Sequence, residues 1–170
     1  DIRSVIDVAP GRIGIVHLRR KGTFDLAFCC VYLPPNTVRG QHLYRDLRER
    51  LSELPRRTIR VVTGDFNAPY EGPRGSRLRG FLDVCQLVRV NTEEHGRTYK
   101  RKSCIDFVLT ETNIRSDQVR VLRSEGARLQ GGSVDHSPVV ARLHLQLPHT
   151  EVHEVTRWNF PLLRASLSDA

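Results

Sequence analysis

Methionine is missing from all 170 residues, position 1 included, and the only lysines are Lys21, Lys100 and Lys102. The first absence leads to the expectation that this chain was cut from something longer. The second puts the net charge of +8 almost wholly on arginine. No apolar run approaches the ~18 residues that a membrane-spanning helix needs, so no membrane is expected among the partners. The N-terminus has neither the basic n-region nor the apolar h-region of a secretory signal. Cys29, Cys30, Cys85 and Cys104 show no C-x-x-C spacing, which argues against a zinc ribbon and against a disulfide framework. Adjacent Cys29 and Cys30 sit in an apolar run and read as buried small hydrophobes in a reducing compartment. Internal repeats and low-complexity tracts are absent too.

What is present suffices for a folded domain. Hydrophobic content is 39%, enough for a core, and the length fits one domain of about 150 residues. Arginine forks match phosphate oxygens in bidentate fashion, so the charge favours a polyanionic partner. A solvated basic surface accounts for the same charge.

Strand and helix signals alternate along the chain. Ile2 to Val8 and Arg12 to Leu18 are short β-rich runs around the turn signal Ala9-Pro10-Gly11. Phe24 to Tyr32 is a longer apolar run stopped by Pro34-Pro35, which predicts a buried strand. Asn36-Thr37 can cap a helix whose apolar stripe is Leu43, Leu47, Leu51 and Leu54, ended by Pro55. Thr58 to Thr63 predicts a second buried strand, and Leu78, Phe81, Leu82 and Cys85 repeat the helical spacing. Cys104 to Leu109, Gln118 to Leu122 and Val139 to Leu147 read as three more strands. This alternation predicts a layered α/β domain over 1–147, with 148–170 as a linker toward a following region.

Three polar clusters stand where buried strands end. In Gly64-Asp65-Phe66-Asn67-Ala68 a carboxylate and a carboxamide two positions apart follow a β-run, where open α/β sheets place their chemistry. Asp65 can orient or deprotonate a water, with Asn67 hydrogen-bonding beside it. The structural alternative is an Asx turn that ends the strand. In Ser103-Cys104-Ile105-Asp106-Phe107-Val108-Leu109 an acid interrupts an apolar strand, and such a carboxylate requires a partner if buried. An edge-strand aspartate facing solvent is the alternative. In Val134-Asp135-His136-Ser137-Pro138 an imidazole adjoins a hard oxygen ligand suited to Mg²⁺. A surface loop explains that cluster alone, but the three in this order are far more specific than any one.

These motifs resemble the exonuclease-endonuclease-phosphatase superfamily, which includes apurinic/apyrimidinic endonucleases, pancreatic-type deoxyribonucleases and inositol polyphosphate phosphatases. Val31-Tyr32-Leu33-Pro34-Pro35 is similar to its V-Y-x-P-P, Gly64 to Asn67 to its G-D-F-N, Ser103 to Asp106 to its S-x-I-D, and residues 133–138 in part to its S-D-H-S-P. Within it, the chain most resembles the endonuclease domain of non-LTR retrotransposons, in which a segment like Arg157-Trp158-Asn159-Phe160 leads toward the reverse transcriptase. The resemblance implies a four-layer α/β sandwich of two packed mixed β-sheets. It implies Mg²⁺-dependent nicking of DNA, Mn²⁺ being the second candidate metal, by an intracellular protein that acts in the nucleus.

By the same resemblance Asp65 and Asn67 align the attacking water, and His136 contacts the phosphate with Asp106 orienting its ring. Asp135 lies at the metal with Asp65, Tyr32 hydrogen-bonds the phosphate, and Thr98 sits beside the DNA backbone. Two features depart from the pattern. The asparagine strand and the Gln-Glu strand, whose glutamate is the principal metal ligand, have no counterpart before Tyr32, where the only acids are Asp1, Asp7 and Asp25. Val134 stands where serine is usual. The expectation is a domain without its first strands, Phe24 to Tyr32 keeping an unpaired flank, and weak or absent activity in this chain. The alternatives are an inactive nucleic-acid-binding remnant and a phosphatase of inositol phosphates or sphingomyelin.

Overall fold

Alternation of buried and exposed residues along the strands gives one β-sheet a greasy face and a face carrying chemistry. The computed structural model describes residues 2–20, 24–35, 38–100, 102–122 and 135–145. In chain order the elements are β1 (Ile2–Ala9), β2 (Ile13–Arg20), β3 (Phe24–Tyr32), α1 (Val38–Glu53), β4 (Ile59–Asp65), α2 (Ser76–Cys85), β5 (Leu87–Arg89), β6 (Asp106–Glu111), β7 (Arg115–Val121) and β8 (Val139–His144). Six strands form a mixed sheet in the order β1-β2-β3-β4-β6-β5, and β7 pairs with β8 in a second sheet. Only β3 and β4 run parallel, with α1 as the crossover between them. The fold is the α/β two-sheet sandwich that the motifs imply.

The core lies between the six-stranded sheet and the two helices. Ile13, Ile15, Ala27, Cys29, Val31, Val62, Phe107 and Leu109 point to that side, and Leu43, Leu47 and Leu51 of α1 meet them with Leu78, Phe81, Leu82 and Cys85 of α2. The helix stripes are those read from the sequence, each buried Leu contributing about 1.5–3 kcal/mol. Gln86 in the left-handed conformation closes α2, its N–H reaching Asp83 O and Leu82 O. At the far end of the sheet Asp25 accepts from Thr58 Oγ1 (3.1 Å) and pairs with the buried His17. Burial opposes ionisation of Asp25, but the His17 and Thr58 hydrogen bonds and the charges of His17 and Arg19 hold its carboxyl below its ordinary value.

Several expectations need correction. β3 is hydrogen-bonded on both sides, by β2 and by β4, so its flank is not open; the sheet's edges are β1 and β5. Cys29 is buried but Cys30 is exposed, because neighbours on a strand face opposite ways. α1 stops at Glu53, leaving Leu54 to pack on the core from beyond the helix. The three-residue β5 was not foreseen; it is too short to show a period. Asn36-Thr37, Val134 and the expected linker 148–170 lie outside the described residues.

Candidate active site

Register alone brings the chemistry together. In the parallel pair β3–β4, Tyr32 faces Asp65, and in the antiparallel pair β4–β6, Asp65 faces Asp106. The three side chains therefore form one cross-strand row on the sheet face opposite the helices. Tyr32 is 48% exposed, and the Arg12 guanidinium sits over its ring, 4.6 Å from the centroid. Arg12 reaches this place because the β1–β2 turn folds back: Tyr32 N–H donates to Arg12 O (2.7 Å).

Asp65 is locked from below. Its Oδ1 accepts from Asn67 N–H (2.7 Å) and its Oδ2 from Asn67 Nδ2 (3.0 Å). Asn67, at φ 49°, also donates from Nδ2 to Leu33 O (2.8 Å). The strand-ending Asx turn is thus real, but it coexists with an Asp65 turned toward other titratable groups. Both N–H bonds of the Asn67 amide are then spent, so its Oδ1 is the atom it can offer to a water. Burial pushes the Asp65 carboxyl up; the Asn67 N–H and the charge of His136 pull it down, and the Asp106 charge adds to the rise.

Asp106 and His136 make a bidentate pair, Nδ1 lying 3.1 Å from Oδ1 and 3.0 Å from Oδ2. An ionised carboxylate only accepts, so Nδ1 carries the proton and Nε2 is the ring's other working atom. The Tyr99 ring packs on the imidazole at 4.9 Å between centroids. Beside the pair a cavity of about 250 Å³ opens between Thr63, Asp106, His136 and Pro138. Asp135 stands apart: its carboxylate is taken by Lys100 Nζ at 3.3 Å, on the rim.

Thr98 is in a different position from the one that the resemblance implies. It is 0% exposed, so its side chain presents no surface to a ligand. Its Oγ1 accepts from Ile105 N–H (3.0 Å) and Asp106 N–H (3.1 Å), and its carbonyl accepts from Ser137 N–H (2.7 Å). Thr98 therefore ties the backbone of Asp106 to that of His136's neighbour.

A sequence model described as endonuclease-reverse transcriptase matches residues 26–140, well over half of the chain. The chain belongs to the endonuclease-reverse transcriptase family. Solved structures show the same fold. The endonuclease domain of TRAS1, a telomere-specific non-LTR retrotransposon, superposes with a TM-score of 0.64 at 21% identity, covering 84% of this chain and 68% of that one. A mannosyl-6-phosphatase from Bacteroides thetaiotaomicron gives 0.59 at 17% identity, over 85% of this chain and 67% of that one. The 3′ phosphatase NExo from Neisseria, bound to product DNA hairpin, gives 0.62 at 16%, over 85% and 72%. No curated protein sequence matches the chain.

For this member of the endonuclease-reverse transcriptase family the donor set suits a divalent cation. One ligand atom each from Asp65, Asp106 and His136 lies within 4.8 Å of the others. Two are carboxylates, the hard oxygen donors that Mg²⁺ and Mn²⁺ prefer, and positive charge between them would offset both the burial that raises Asp65 and the Asp106 repulsion that adds to the rise. Asp135, expected as a metal ligand, is not in this group.

Asn91 escaped the sequence reading altogether. It is 0% exposed; its Nδ2 donates to Asp106 O (2.9 Å) and its Oδ1 accepts from Val108 N–H (2.8 Å), continuing the ladder where β5 has stopped. No local pattern announces a side chain that stands in for a strand. Thr98 and Asn91 together fix the backbone of Asp106. Thr98→Val keeps the shape but strips two buried N–H groups of their acceptor, at ~1–3 kcal/mol each. Denaturant unfolding should show a loss of about 2–6 kcal/mol that Thr98→Ser largely restores. A Thr98→Val protein as stable as the wild type would remove Thr98 from this supporting role.

Proposed function

We propose that the chain is a metal-dependent phosphodiesterase, a DNA-nicking endonuclease domain of a retroelement polyprotein continuous with a reverse transcriptase. The observation that carries this reading is the row Tyr32–Asp65–Asp106 joined to His136. Phosphodiester hydrolysis needs an aligned water, a proton acceptor and positive charge where the phosphorane oxygens develop theirs. Asp65 accepts the proton of a water that Asn67 Oδ1 orients. His136 acts as an imidazolium: its Nδ1–H is held by Asp106, its Nε2–H donates to a phosphate oxygen, and the Tyr32 hydroxyl donates to another. Asp65 and Asp106 would hold a Mg²⁺ or Mn²⁺ ion, which supplies Lewis-acid charge to the phosphate. Asp135 then serves at the rim, through Lys100.

An enzyme of this kind acts on DNA in the nucleus. Among the described residues no helix is long and apolar enough to cross a membrane. The test is relaxation of a supercoiled plasmid with Mg²⁺, with and without excess chelator, beside phosphate release from inositol phosphates. Mg²⁺-dependent nicking that chelator abolishes is the expected result. Phosphate release with the plasmid left supercoiled would turn the reading to a phosphatase. Neither activity would leave a nucleic-acid-binding remnant.

A further inference from the structure

On the side of the sheet away from the catalytic row, α1 and α2 pack against one another and leave a groove of about 310 Å³ on their outer surface. Arg45 and Arg48 from α1 and Arg77 from α2 line it together with Tyr44, Gly80 and Phe81. No carboxylate lines it, although Arg45 is engaged along α1 by Asp46 (3.5 Å) and Glu49 (3.9 Å). Arg48 forms no ion pair among the described residues. A basic rim over a partly aromatic floor is the combination that holds single-stranded nucleic acid, charge for the backbone and ring surface for the base.

Two further features point to use. Gly80 lies inside α2, where glycine costs about 1 kcal/mol relative to alanine. A Cβ built there would meet nothing within 4 Å, so packing does not require the glycine. What it does is keep the groove's floor clear. The second feature is Tyr44, whose ring packs on Phe81 at 5.5 Å between centroids. Among the described residues its buried hydroxyl has no hydrogen-bond partner, a deficit of ~1–3 kcal/mol that native structures rarely leave unexplained. Burial drives the Tyr44 phenol well above its ordinary range, only partly offset by the Arg77 charge. It is therefore a neutral donor at any working pH, close to the Arg77 guanidinium.

We propose that the α1–α2 groove is a second nucleic-acid contact, taking one nucleotide of a single strand with its phosphate on Arg48 and Arg77 and its base over the floor at Tyr44 and Gly80. The contact lies on the face of the sheet opposite the row Tyr32–Asp65–Asp106. Charge selects a polyanion, since the chain carries +8 and no carboxylate lines the groove, and the ring surface beside the guanidinium groups selects a polynucleotide.

Fluorescence anisotropy of short labelled oligothymidylate and oligouridylate, in chelator so that nothing is cleaved, tests this separately from catalysis. Arg48→Ala/Arg77→Ala should weaken binding about tenfold. It should also flatten the salt dependence by about 0.7 in slope, the value for one phosphate contact on a single strand. Arg56→Ala/Arg57→Ala removes the same charge in the α1–β4 turn and should change both quantities far less. Gly80→Leu fills the groove with every arginine kept, so affinity should fall while the melting temperature holds or rises. The relative strength of the two probes says whether DNA or RNA is preferred. Equal losses from the two arginine pairs, or wild-type affinity in Gly80→Leu, would overturn the proposal. Nicking is read with Mg²⁺ and groove binding in chelator, so failed nicking and failed groove binding remain separate outcomes.

Discussion

Replacing Asp65 by asparagine is expected to lower Mg²⁺-dependent plasmid nicking by about 10²–10⁴-fold, the usual worth of a positioned general base. The substitution is nearly isosteric: its carbonyl oxygen can still accept the Asn67 N–H that Oδ1 accepts at 2.7 Å, and only the 3.0 Å bond from Asn67 Nδ2 is given up, while Asn67 Nδ2 keeps Leu33 O. Folding should not suffer. Burial raises the Asp65 carboxyl above its ordinary value of 3.8, and the nearby Asp106 charge adds to the rise. A group whose folded-state pKa is raised contributes stability below its unfolded value and loses that contribution as pH climbs through the folded one. At neutral pH the ionised Asp65 is thus a cost to the fold that asparagine removes. The melting temperature of the variant should equal or exceed that of the wild type at neutral pH, with the gap closing in acid. The wild-type rate should fall in acid, since only ionised Asp65 can take the proton of the attacking water. An asparagine variant that nicks at the wild-type rate would remove Asp65 from the mechanism, and one that unfolds would contradict the stability argument.

Elements with a strong period were legible from sequence, and elements defined by long-range pairing were not. Leu43, Leu47 and Leu51 announce α1, and Leu78, Phe81 and Leu82 announce α2, because one face of a helix must repeat every three or four residues. The run from Phe24 to Tyr32 announces β3 by apolar content alone. That run cannot show which strands lie beside it, since pairing partners are set by the whole sheet. Hence the unpaired flank expected for β3 was wrong. The same one-dimensional view put Cys29 and Cys30 in one environment, whereas the pleat sends them to opposite faces.

The candidate site divides in the same way. Asp65, Asn67, Asp106 and His136 stood out because polar residues that break or end apolar runs require an explanation. Their convergence depends on the register Tyr32–Asp65–Asp106, which is written in no single segment. Arg12 was invisible because it is one arginine among many, and it reaches Tyr32 only through the fold of a turn. Thr98 and Asn91 were invisible as supports because their side chains act on backbone groups of a distant strand. Resemblance put Thr98 on the DNA side; burial puts it under the site instead.

Gly64→Ala should be the most damaging single methyl that this site can receive. Gly64 is in β4 immediately before Asp65, and it faces Val31 on β3 and Phe107 on β6. Its φ is 142°, a conformation that side chains rarely adopt, and a Cβ built on it would fall 1.9 Å from Val31 O and 2.9 Å from Val31 C. Both are backbone atoms of the neighbouring strand, so relief cannot come from a rotamer change. The strand must retreat, opening the parallel ladder between Tyr32 and Asp65, or Gly64 must rotate and carry Asp65 out of the row. A glycine inside a strand pattern is the sequence mark of such close backbone approach. The loss should exceed the ~1–3 kcal/mol of ordinary overpacking, reaching about 4 kcal/mol or more. For a chain of this size that corresponds to a fall of roughly 10 °C or more in melting temperature. Because the strain adjoins Asp65, the folded fraction that survives should also nick more slowly than its concentration accounts for. Thermal unfolding with activity normalised to folded protein checks both parts. A Gly64→Ala protein with wild-type melting temperature would show that the β3–β4 approach is looser than the structure has it.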